Sequence, residues 1–237
     1  MNFPHEFEAL LSAEGRRVLD GTHPAIGALA RGGFLAAPGL LDAAQLDGLT
    51  ALLAETFSDL LVDIERALPA ANLSQVSFED TLPKVGRMQS VPFEGPEGFI
   101  ARKLSKLIGL HQMLESPSYH RFCEALTGAR LEPLGNAQVL VNRPGDYAGP
   151  HTDHHPQEPQ LVDGYVDVHL TFCTAGVRQQ FIVYQRDGHL SAIEPIGVAG
   201  TVTAYRLPLW HYTTPLVTDS PADRRWLVLS TFALKRE

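Results

Sequence analysis

The period of the apolar positions changes near residue 131. Up to there, apolar side chains recur mostly every third or fourth residue, the spacing of one helix face. Beyond it they alternate with polar ones or stand in short blocks, as strands do. The longest helical stripe is Leu46, Leu49, Leu52, Leu53, Phe57, Leu60, Leu61 and Ile64. It predicts a helix over 41–68 with Asp42 as N-cap, and its apolar face needs a large partner such as a sheet. Two shorter helical patterns precede it, over 6–19 and 24–32, the second stopped by Gly32-Gly33. Residues 34–38 read as a short strand, with Pro38-Gly39 as a turn. Helices are also expected over 96–114 and 116–126. Ser116 caps the latter, Pro117 opens it and Gly128 ends it.

The strand-like runs cover 136–142, 165–174, 179–185, 189–195, 200–206 and 224–232, with turn residues between them. Such spacing suggests a sandwich, jelly roll or barrel. The expected fold class is α+β: one domain over 1–237, in which a mainly helical region, 1–130, buttresses a double-sheet β core, 131–237. Residues 69–98 are irregular, and a long loop in a compact domain is often functional. Arg87 and Gln89 lie there between apolar neighbours and are candidates for lining a substrate site; otherwise the segment is a surface connection or an edge strand.

Composition narrows the class. A chain of 237 residues, 44% apolar and 19% charged, is ordinary for a globular domain. It can bury roughly 70% of its unfolded surface. The formal charge is −8, and no cluster of five or more basic residues occurs, so no nucleic-acid partner is expected. No apolar run is long enough for a membrane span, and the first residues lack the basic and apolar regions of a signal peptide. Cys123 and Cys173, the only cysteines, read as reduced core residues of a cytoplasmic protein.

The densest chemistry lies in NRPGDYAGPHTDHHP, 142–156. In an extended segment His151 and Asp153 point to one side, so both can reach one metal ion. A further histidine from a distant strand would complete a two-histidine, one-carboxylate set, which leaves positions open on Fe(II). His211 is the candidate. His154 and His155 follow the pair directly and read either as a substrate-facing rim or as lid residues; the polar stretch 154–164 could close over the site. Asp167 and His169 form a second such pair but lack the turn context. Asp187 and His189 flank Gly188 in a hairpin turn.

The stretch 131–234 resembles the Fe(II)/2-oxoglutarate-dependent dioxygenases in three parts, in the expected order. They are a strand, Pro-Gly turn and His151-Thr152-Asp153; then GTVTAYRLPLWHYTTPL; then RRWLVLSTF. The lead-in IGALARGGFLAAPGLLDAAQLDGL is similar to the family's N-terminal part. The resemblance implies a double-stranded β-helix, or jelly roll, with Fe(II) on His151, Asp153 and His211. It implies that 2-oxoglutarate and O2 are consumed, that succinate and CO2 are released, and that a substrate C–H bond is oxidised.

An arginine on the last strand should hold the far carboxylate of 2-oxoglutarate, because its planar fork binds carboxylate bidentately. Arg224 and Arg225 are neighbours and face opposite ways; Arg225 falls where the family's arginine usually falls. Asn142, Thr213 and Thr231 are further candidates for cosubstrate contacts. Two features differ from common members. No serine stands two residues after Arg225, and VRQQFIVYQ replaces a frequent Gly-Gly-Glu-Leu stretch, so no subfamily follows. Asp153 favours hydroxylation or a related oxidation over halogenation. The expectation is hydroxylation of a small polar molecule, such as an amino acid or a derivative. The alternatives are a protein prolyl or nucleobase hydroxylase, or a cupin-like metal-binding isomerase or binding protein that does not use 2-oxoglutarate.

Overall fold

Strand alternation decides the architecture. The computed structural model describes residues 1–67, 85–93, 98–134, 137–153 and 164–235. Its strands are β1 (Phe34–Ala37), β2 (Val62–Ala67), β3 (Val85–Pro92), β4 (Leu131–Pro133), β5 (Gln138–Asn142), β6 (Tyr147–Ala148), β7 (Tyr165–Cys173), β8 (Val177–Gln179), β9 (Phe181–Arg186), β10 (His189–Pro195), β11 (Val202–Leu207), β12 (His211–Thr213), β13 (Val217–Thr218) and β14 (Arg225–Leu234). Nine of them form an antiparallel sheet in the order β1-β11-β7-β14-β5-β3-β2, with β4 beside β14 and β6 beside β3. A three-stranded sheet, β10-β9-β12, and the pair β13-β8 form the second layer. The whole is a double-stranded β-helix, as the family resemblance implied and as one of the folds that the C-terminal strand pattern allowed.

The two faces of the large sheet differ. Val139, Val141, Val166, Val168, Leu170, Phe172, Val202, Ala204, Trp226, Val228 and Phe232 share one face and join the main core. The helices α1 (Ala13–Leu19), α2 (Ala28–Gly32), α3 (Ala43–Phe57), α4 (Phe99–Leu107), α5 (Leu110–Leu114) and α6 (Pro117–Thr127) belong to the same half of the molecule. Leu46, Leu49, Leu53 and Phe57 of α3 enter that core, and α3 lies on β7. The opposite face looks inward, toward the second layer. There Gln138, Leu140, His169 and Thr231 are only half-buried, so the interior is accessible. Among the described residues no helix is long and apolar enough to cross a membrane.

Three helical expectations change. The helix expected over 41–68 ends at Phe57; Ser58–Leu60 is a 3-10 turn and Val62–Ala67 is β2. Val62 and Ile64 alternate with Asp63 and Glu65, and pairing with β3 (Val62 opposite Ser90, Ala67 opposite Val85) wins over a further helical turn. The pattern over 6–19 splits into a 3-10 turn, Phe7–Leu10, and α1, because Leu11 bridges to Leu41 and the Ser12 hydroxyl accepts from Gly15 N to start anew. The helix over 96–114 is broken at Gly109, whose φ is +82°. A Cβ at Gly109 would stand 2.6 Å from the Phe3 carbonyl oxygen. The region 1–130 is therefore not only helical: β1, β2 and β3 are strands of the main sheet.

Candidate metal centre

The Pro-Gly turn after β5 is held by its own side chains. Asp146 Oδ2 accepts from Arg143 N at 2.9 Å and from Arg143 Nε at 3.1 Å. The chain then passes β6 and reaches His151, which bridges to His211 through two backbone hydrogen bonds of 2.9 Å. This bridge brings together residues sixty positions apart in sequence. The two rings lie 4.5 Å apart, centroid to centroid. Asp153 joins them: its Oδ1 is 3.0 Å from His151 Nε2 and its Oδ2 is 3.7 Å from His211 Nε2. One donor atom from each of the three lies within 4.8 Å of the others.

The backbone sets the tautomers. His151 Nδ1 lies 2.6 Å from the Gly149 carbonyl and His211 Nδ1 lies 2.9 Å from the Leu209 carbonyl. A carbonyl only accepts, so each Nδ1 carries the hydrogen and each Nε2 offers its lone pair to the shared space. Tyr205 donates from its hydroxyl to Asp153 Oδ2 at 3.3 Å, and His169 Nε2 lies 3.3 Å from the same hydroxyl. Since that proton goes to the carboxylate, His169 is the donor to Tyr205. The Tyr165 hydroxyl donates to the Asp153 carbonyl oxygen.

Charge and burial oppose each other here. Burial pushes the Asp153 carboxyl up, but His151, His211 and His169 more than reverse this and hold it well below the usual range. Burial would lower His151, yet Asp153 beside it raises it above the ordinary value. Burial and the charge of His151 press His211 down to about 4. Two imidazole nitrogens and one carboxylate oxygen on one side fit a divalent first-row ion such as Fe(II). Asp153, with 35% of its side chain exposed, stands on the open side of the group.

Arg225 is 2% exposed. It donates from one terminal nitrogen to Gln180 Oε1 at 3.0 Å and to Asn142 Oδ1 at 3.4 Å. Its buried Nε has no hydrogen-bond partner, and among the described residues no carboxylate pairs with it. Burial lowers it to about 10. A buried guanidinium without an anion is expensive, and the site fits an incoming carboxylate. The Thr171 and Thr201 hydroxyls, buried and also without partners, lie toward this end of the interior.

The candidates divide. His151, Asp153 and His211 come together, as do Arg225 and Asn142. Arg224 turns outward and donates to the Pro221 and Asp223 carbonyls at 2.7 Å. Thr213 braces β6 against β12, its hydroxyl accepting from Ala148 N at 2.8 Å. Thr231 is six positions along β14 from Arg225, about 20 Å at strand rise, too far to share one carboxylate. It donates instead to Asp167.

Arg87 and Gln89 do not face the interior. Gln89 is opposite Val141 in register, on the helix-covered face, and Arg87 shares its parity. Gln89 bonds Asp63 at 2.9 Å, and Arg87 Nε lies 3.3 Å from Asp146. His154, His155 and all of the suggested lid except Gly164 lie outside the described residues. Asp167 and His169 face the interior but are not among the three clustered ligands. Sequence reading missed Gln180, Tyr205 and Tyr165. Only the position of Tyr205, shortly before His211, hinted at a role.

No protein-family model and no curated protein matches this chain. Solved structures do match. One is an oxidoreductase of the 2OG-Fe(II) oxygenase family from Burkholderia pseudomallei, with TM-score 0.56 and 16% identity over 90% of both chains. The epimerase SnoN, in complex with Fe3+, alpha ketoglutarate and nogalamycin RO, has TM-score 0.55 and 17% identity over 92% of this chain and 84% of its own. The carbocyclase SnoK from nogalamycin biosynthesis has TM-score 0.51 and 15% identity over 96% and 87%. At these identities the likeness is one of architecture, and the chain has the double-stranded β-helix fold of the 2OG-Fe(II) oxygenase family.

Proposed function

We propose that this chain is a 2-oxoglutarate-dependent Fe(II) oxygenase that hydroxylates a small polar molecule. His151, Asp153 and His211 hold the metal, and Arg225, with Asn142 and Gln180 beside it, takes the far carboxylate of 2-oxoglutarate. The observation that carries this reading is Arg225: a buried cation, without a carboxylate of its own among the described residues, inside the same barrel as the triad. A cupin-like metal protein that bound no anionic ligand would leave this cation without a partner.

With O2, the bound iron and 2-oxoglutarate would supply an oxidant strong enough for a C–H bond, and succinate and CO2 are the by-products. The chain's own part is positioning. The Nδ1–H bonds to Gly149 and Leu209 prevent either ring from rotating. Tyr205 holds one oxygen of Asp153 and fixes the carboxylate's rotation. Gln180 and Asn142 aim the guanidinium without neutralising it, which keeps its charge for the cosubstrate.

The deciding experiment is an anaerobic Fe(II) titration with and without 2-oxoglutarate, watched for the visible charge-transfer band of the chelate. The band is expected in the natural protein and absent in His211→Ala. Tight Fe(II) binding without a band would refute the cosubstrate, and no metal binding would refute the centre. Product analysis then separates hydroxylation from epimerisation or ring closure, the chemistry named for SnoN and SnoK.

A further inference from the structure

The interior contains a second buried ionisable group that, among the described residues, has no oppositely charged partner. Asp167, on β7, is 5% exposed and lies on the inner face, opposite Tyr205 of β11 and Thr231 of β14. Its Oδ1 accepts from the Thr231 hydroxyl at 2.7 Å. No Lys, Arg or His among the described residues forms an ion pair with it. Burial and the nearby charge of Asp153 push its carboxyl up to about 8, as befits an acid with no cation beside it among the described residues.

What surrounds Asp167 suits a cation. Tyr165 precedes it by two residues on the same face, and Tyr205 is its cross-strand neighbour. Both tyrosines reach Asp153 through their hydroxyls, so Asp167 lies beneath the metal ligands. Phe34 extends the aromatic wall, its ring 6.2 Å from that of Tyr205. Aromatic faces attract cations, and a carboxylate between them makes an ammonium site. Thr231 and His169 on this face are half-buried, so the place is reachable from the interior.

We infer that Asp167, between Tyr165 and Tyr205, anchors a primary ammonium group of the substrate. The inference rests on the oxygenase reading for the word substrate, but not for the site itself. It narrows the small polar molecule to a cationic amine. The two buried ionisable groups then have separate tasks: Arg225 binds the dianionic cosubstrate and Asp167 the cationic substrate.

The test uses two isosteric probe pairs, n-butylammonium against 1-butanol and 4-fluorobenzylammonium against 4-fluorobenzyl alcohol. Each is titrated by ligand-observed NMR at about pH 8, near the value to which burial raises the carboxyl. Both metal-free protein and protein with Fe(II) and 2-oxoglutarate are used. In at least one pair the ammonium should bind about tenfold more tightly than its alcohol, the worth of one charge-assisted contact. Asp167→Asn keeps the shape and removes the charge. It should abolish the preference and leave the Fe(II)–2-oxoglutarate band in place. Asp167→Leu serves the same purpose if the asparagine variant does not fold. Equal binding within both pairs in the natural protein overturns the site, as does a preference that survives either variant. A missing band with the preference intact sinks the oxygenase reading alone; an intact band with no preference sinks the ammonium site alone.

Discussion

At His151 and His211 the backbone determines which nitrogen can meet a metal. Each Nδ1 is spent on a carbonyl two residues upstream, Gly149 or Leu209, so each Nε2 is free. The same economy operates at Arg225, where two amide oxygens orient a guanidinium and leave its charge unspent. Lysine there would keep a positive charge but lose the planar fork and sit buried as an ammonium. Arg225→Lys should therefore weaken 2-oxoglutarate by about 1.5–3 kcal/mol, the value of a charge-assisted hydrogen bond. Fe(II) affinity should hardly change. Titrating 2-oxoglutarate into the Fe(II)-loaded variant measures the first, and Fe(II) alone the second. Equal loss of both would mean that Arg225 supports the fold instead.

Individual elements obeyed local chemistry wherever their caps and periods agreed. Ser116, Pro117 and Gly128 delimit α6 as their types require, the Ser116 hydroxyl accepting from Tyr119 N and Gly128 taking φ +70°. That hydroxyl also accepts from Phe7 N and donates to the Met113 carbonyl, so one buried group joins three segments. Ser116→Ala should cost about 1–2 kcal/mol, read as a lower urea midpoint with unchanged slope; a neutral result would show that the Phe7 contact is idle. Where local signals conflicted, pairing prevailed. Residues 62–67 continue the Leu stripe of α3 in sequence, yet they are a strand because β3 offers them an edge. Leucine spacing extends a helix on paper as long as no breaker intervenes. It carries no information about a partner strand whose paired residues lie 18 to 28 positions further along the chain.

The whole molecule carries a polar, charged interior wrapped by an apolar shell, and this sets its stability profile. In the fold His169 and His211 remain neutral down to about 3 and about 4, whereas unfolded they protonate near 6.5. Below 6.5 the unfolded chain thus binds more protons, and stability is lost as pH falls. Asp167 keeps its proton in the fold up to about 8 but gives it up near 3.8 when unfolded, so its contribution is lost as pH rises across that range. The raised His151 acts in the same sense on the alkaline side. Below 6.5 the two histidines outweigh the one aspartate. The Tm of metal-free protein should therefore peak near pH 6.5, the ordinary histidine value, and fall toward 8. Asp167→Asn should flatten the alkaline limb. A Tm that keeps rising to pH 8 would show that Asp167 is already ionised and paired.

The sequence by itself determined the parts that depend on near neighbours. Strand periods beyond 131 followed from alternation, the His151–Asp153 pair from i, i+2 geometry, and the opposite facing of Arg224 and Arg225 from adjacency. The approach of His211 was suggested by its place after a strand-like run and by likeness to a family, since nothing local ties it to His151. Tertiary structure decided the remainder. Strand register placed Thr231 with Asp167 and away from Arg225, turned Arg87 and Gln89 to the helix side, and brought Gln180 under the guanidinium. It also isolated Arg225 and Asp167 from every counterion among the described residues. Whether a charge is compensated depends on what packs around it in space. A linear chain records the charges, but only the folded barrel shows which of them are left without a partner.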